Sequence, residues 1–166
     1  MITDAQKQLF LKLKRSQYAY LRSLSDVGLV SLKDIDAIIS QIVQDRLGLG
    51  EEFLREAKGM SPQSNITRRV IISHCYYAQY HVARAMIFHV HRQDCDSHEQ
   101  LSIEVEKVLG AGPTDVLKRL RNKRNQITYE PYVDLDLSAE VTTALTESES
   151  FLNACKTLLR KRGLKI

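Results

Sequence analysis

The chain has 166 residues, enough for one domain with a sizeable core, and its 43% hydrophobic and 27% charged residues are the balance of an ordinary globular protein. A net charge of +4 permits a polyanionic partner such as RNA without requiring one. No run approaches the roughly eighteen apolar residues of a membrane span, MITDAQKQLF lacks the form of a signal peptide, and three cysteines without a CxxC pair argue for reduced thiols in a cytoplasmic protein with no disulfide framework and no membrane partner.

Helical signals follow one another along the chain, with few alternating β-branched runs and only three prolines. Thr3 to about Leu24 reads as a polar helix with an uneven apolar face of Leu9, Leu13 and Tyr20, an extension covering residues 1–30. Ser31 is placed to cap a long second helix, which opens a bundle domain over 31–166 and carries Ile35, Ile39, Ile42, Leu49 and Phe53 at helical spacing. Gly48 and Gly50 each weaken that helix by about 1 kcal/mol relative to alanine and predict a kink. KGMSPQSN is a turn, and after Asn65 a third helix presents Ile71, Cys75, Ala78, Val82, Ala85 and His89 on one stripe.

Ser97 and Gln100 have capping-box spacing and open a short helix that ends at Gly110-Ala111-Gly112. Pro113 suits the first turn of the next helix, and Pro131 stops it. The last helix, from about Ser138 to Arg160, carries Val141, Leu145, Ser148, Leu152, Cys155 and Leu159 at steps of four and three. The expected fold is all-α: an antiparallel up-and-down four-helix bundle with an extra N-terminal helix and a short inserted helix. Cys75 and Cys155 are expected inside it as small core residues.

Two clusters carry chemistry. Five of the seven residues in Lys118–Arg124 are cationic. Leu117, Leu120 and Ile127 form the apolar stripe of their helix, and the missing member of that stripe is Arg124. Lys118, Arg119, Arg121 and Lys123 read as a solvated basic face, whereas a cation on an apolar seam requires a partner. That partner is either a carboxylate, Glu130 or one on another helix, or a phosphate bound at a cleft rim through two parallel hydrogen bonds. On the third helix Tyr77, His81 and Arg84 share a face, a pattern that also serves plain inter-helix packing. The series His89, His91, Cys95 and His98 has the ligand types for zinc but no regular zinc spacing, so no metal is assigned.

SHCYYAQYHVARAMIF, followed by DSHEQL, LRNKRNQITYEPY and a final amphipathic helix, resembles the HEPN domain over roughly Ser31 to Arg160. The resemblance implies an up-and-down four-helix bundle that forms a homodimer, with a cleft lined by the helix carrying arginine and asparagine from both subunits. It further implies metal-independent, cofactor-free action on RNA in toxin–antitoxin or defence systems, with a small nucleotidyltransferase-type antitoxin as partner. The catalytic motif, an arginine, a polar residue and then a histidine, falls on Arg124, Asn125 and Tyr129. Arg121, Tyr77, His81 and Arg84 are assigned to nucleic-acid or nucleotide binding beside it.

Tyr129 is the departure from the motif. Metal-free RNA cleavage needs a group that exchanges protons near neutrality, which histidine does and a tyrosine titrating near 10 does not; its loss costs on the order of 10²–10⁴ in rate. Tyrosine retains the capacity to stack on a base and to donate a hydrogen bond, which favours RNA or nucleotide binding over cleavage. In one subgroup a tyrosine two residues beyond the histidine is nucleotidylated by the partner; here Pro131 holds that position and Tyr132 is one residue off, so the role does not transfer. The alternatives are an active endoribonuclease and a helical protein–protein interaction module.

Overall fold

The computed structural model describes residues 2–130 and 137–166, and all regular structure among them is helical. The helices are α1 (Asp4–Phe10), α2 (Arg15–Asp26), α3 (Leu32–Gly59), α4 (Asn65–His91), α5 (His98–Leu109), α6 (Ala111–Tyr129) and α7 (Leu137–Lys161). No helix among the described residues is long and apolar enough to cross a membrane.

Helix α4 is the centre of the bundle and touches α3, α5, α6 and α7. It can do so because its apolar residues run round more than one face: Ile71, Ile72, Cys75, Ala78, Val82, Ala83, Ala85, Met86, Ile87 and Phe88 are all buried. Such a helix belongs inside a bundle rather than on its surface. From α7, Val141, Leu152, Cys155 and Leu159 meet it as the spacing predicts, with Ser148 fully buried among them. Ser148 is satisfied because its hydroxyl accepts from Gln79 Nε2 at 3.0 Å and donates to the Cys75 carbonyl at 3.3 Å. Burial pushes the Cys75 thiol up to about 11, so it remains an inert core group.

Three local readings change. The expected kink at Gly48 and Gly50 is absent, and α3 runs helical through both. Gly50 instead permits close approach: a Cβ there would lie 2.5 Å from Val82 Cγ2 and 2.9 Å from the Ala78 carbonyl oxygen. The single N-terminal helix is two, broken between Phe10 and Arg15. At that break the Leu11 carbonyl accepts from Arg46 Nη2 at 2.8 Å and the Leu13 carbonyl accepts from the Asp94 N–H at 2.8 Å. Leu13 is buried there, while Leu9 and Tyr20, expected on the same apolar face, are exposed. Finally, Ser97 caps α5 by accepting from the Gln100 N–H at 3.3 Å, but the Gln100 side chain turns outward to Glu104 rather than completing a capping box.

Pro113 lies in the first turn of α6, where its missing N–H costs no intrahelical bond. The stop expected at Pro131 lies outside the described residues, as does Tyr132; α6 ends at Tyr129.

Candidate nucleic-acid interface

Surroundings divide the cationic run on α6. Arg119 closes on Glu140 and Glu147 of α7, Lys118 lies 3.2 Å from Glu106 of α5, and Lys123 lies 3.9 Å from Glu140. Three of the five cations are therefore neutralised by neighbouring helices, so they are not the free basic face that the sequence suggests. Among the described residues, Arg121 and Arg124 have no ion-pair partner.

Arg124 is half-buried on the seam between α6 and α4. Its Nη2 donates to the Tyr77 hydroxyl at 2.5 Å and its Nη1 to the Asn125 side-chain oxygen at 3.0 Å. The guanidinium also lies over the Tyr77 ring, 5.3 Å from its centroid. Of the two partners that the sequence leaves open, the carboxylate, with Glu130 as a candidate, is not found among the described residues. A guanidinium whose partners are a phenol and an amide has no paired carboxylate, and packing orients it.

The face Tyr77–His81–Arg84 separates in the same way. Tyr77 joins Arg124. His81 stacks on Phe53 of α3, with ring centroids 5.5 Å apart and planes 3° from parallel, and burial followed by the Arg84 and Arg46 charges lowers its pKa to about 4. Arg84 is held in a two-pronged pair with Asp94, Nε to Oδ1 at 2.9 Å and Nη2 to Oδ2 at 2.6 Å, while Arg46 Nη1 reaches the same carboxylate at 2.9 Å. His81 and Arg84 therefore have structural partners on the bundle side of this face. Asn125 and Tyr129 line a shallow depression with Asn122, Lys123 and Gln126, and Tyr129 is 73% exposed.

Two further residues belong to this seam that the motif spacing did not single out, Tyr76 and His98. Tyr76 is buried, its hydroxyl sits 2.5 Å from His98 Nδ1, and the His98 ring lies 4.4 Å from that of Tyr80. The charges of Arg121 and Arg124 act on both the Tyr76 phenol and the His98 imidazole, which places α4, the start of α5 and α6 around one electropositive spot. The only sequence signal for this was that His98 falls within DSHEQL, between the two blocks of aromatic and basic residues.

The other members of the histidine and cysteine series are dispersed. His89 Nε2 is 3.3 Å from the Arg162 carbonyl, His91 is 3.6 Å from Glu104, and Cys95 is buried beside the Ser97 carbonyl. Among the described residues no three metal-ligating side chains converge. No protein-family model matches this chain, and no curated protein matches it.

Proposed function

We propose that the chain is an RNA- or nucleotide-binding protein of the HEPN type, in which the α4–α6 seam receives phosphate. The observation that carries this reading is the state of Arg124. It is half-buried, aimed by Tyr77 and Asn125, and beside a second uncompensated cation, Arg121, while three other cations of the same run are tied to carboxylates. A polyanion supplies the missing countercharge, and exposed Tyr129 supplies a stacking face.

Binding is favoured over cleavage because Tyr129 occupies the place of the motif histidine, and His81, the histidine next to Tyr77 on the same face, is stacked on Phe53 and stays neutral at pH 7. The homodimer and the nucleotidyltransferase-type partner belong to the same proposal, and sedimentation of the purified chain tests the first of them.

Binding of a fluorescent single-stranded RNA, followed by anisotropy at several salt concentrations, tests the reading. Affinity is expected to fall steeply with salt, and Arg124→Ala and Arg121→Ala should each weaken it about tenfold and reduce the salt slope by about one. A wild-type protein that ignores RNA at low salt, or an Arg124→Ala protein that binds as wild type does, overturns it.

A further inference from the structure

We propose that His98 is a third, uncharged arm of this anion site, locked by Tyr76 so that its Nε2–H donates to a phosphate oxygen held beside Arg121 and Arg124. The inference rests on the phosphate-binding reading of the α4–α6 seam and adds a residue from a third helix, α5.

Tyr76 is 3% exposed, and among the described residues its hydroxyl has one partner, His98 Nδ1 at 2.5 Å. A buried hydroxyl hydrogen requires an acceptor, and Nδ1 is the one present. Tyr76 therefore donates and Nδ1 accepts, so the proton of the neutral ring sits on Nε2. Burial raises the Tyr76 pKa to about 12, so its own proton stays in place. The ring is fixed in orientation as well: Tyr80 packs 4.4 Å from it, and the Tyr80 hydroxyl donates at 2.9 Å to the carbonyl of Asp96, two residues before His98.

Nε2 is thus a donor without a partner among the described residues, on an exposed residue. The groups that act on the ring are Tyr76, Tyr80 and Arg84 from α4 and Arg121 and Arg124 from α6, with no carboxylate among them. Partial burial and then those three positive charges lower the pKa of His98, and its position as first residue of α5 places it at the positive end of a helix dipole. A neutral N–H adds a directed donor to two guanidiniums without adding a third repelling charge, which suits a phosphate oxygen.

The test uses the 166-residue chain labelled with ¹⁵N. Long-range ¹H–¹⁵N spectra at about pH 8, above the ordinary histidine range, are expected to show the neutral His98 ring protonated on Nε2, and that nitrogen should shift when inorganic phosphate is added. His98→Ala should weaken RNA binding about tenfold, whereas His98→Gln, which keeps an N–H donor, should stay within about threefold. Tyr76→Phe should mix the two tautomers and weaken binding too.

Oligonucleotides with and without a 5′-phosphate identify the source: a shift with the phosphorylated one alone assigns a terminal phosphate, and a shift with both assigns the backbone. An Nδ1-protonated ring, or no response to phosphate together with wild-type RNA affinity in His98→Ala, overturns the assignment. If Arg121→Ala and Arg124→Ala lose RNA while His98→Ala keeps it, the His98 assignment alone falls. If none of the three matters, the phosphate reading of the seam falls with it.

Discussion

Arg119 and Arg124 stand five positions apart on one helix, yet one closes on Glu140 and Glu147 and the other on a phenol. The apolar stripe of Leu117, Leu120 and Ile127 was enough to single out Arg124 from the sequence, because a cation in that register must be held by something. What holds it was not legible, since Tyr77 lies forty-seven positions away and only the packing of α4 on α6 joins them. His81 shows the opposite case, a histidine that the shared face promoted and that packing on Phe53 makes structural. Its folded pKa of about 4 lies below the ordinary value of 6.5, so the unfolded chain takes up a proton that the folded one refuses. The contribution of His81 to stability is therefore full above about pH 6.5 and is lost as pH falls towards 4. Urea midpoints measured across that window should drop for the wild type, and His81→Leu should flatten the drop.

At the scale of elements, the two glycines of α3 separate backbone propensity from packing. Both are helical, and propensity alone treats them equally. A side chain at Gly48 would meet nothing within 4 Å, whereas one at Gly50 would overlap Val82 and the Ala78 carbonyl of α4. Gly48→Ala is expected to stabilise the fold by up to about 1 kcal/mol, and Gly50→Ala to destabilise it by about 1–3 kcal/mol, both read from chemical denaturation. Helix positions were largely legible because apolar spacing and caps at Ser31 and Ser97 are local signals. The break in the N-terminal helix was not, because it serves Arg46 and Asp94, which the sequence gives no reason to bring near Leu11 and Leu13. The splitting of the basic run was hidden for the same reason: its carboxylates lie on α5 and α7.

Across the whole molecule, Asp94 is the point where separate parts meet. Its carboxylate is nearly sequestered from solvent between Arg46 of α3 and Arg84 of α4, and its backbone N–H holds the N-terminal segment through Leu13. Removing one member of such a buried pair leaves uncompensated cations, and Asp94→Asn should cost about 3–5 kcal/mol, measured by denaturation. The all-helical architecture followed from periodicity; the docking of Leu13 on the Asp94 N–H did not. Under the proposed RNA-binding function, the Asp94→Asn variant should weaken RNA capture while leaving its salt dependence as it was, because Asp94 supplies no cation to a phosphate.

Asp94 lies four residues before His98, and the turn between them is pinned by Asp94 on one side and by the Tyr80 hydroxyl on the Asp96 carbonyl on the other. A screen that scored only ligand capture would therefore rank Asp94 beside Arg124, although the two act at opposite ends of a short mechanical chain. Paired measurements of salt slope and unfolding midpoint would separate them: Arg124 should change the first, and Asp94 the second.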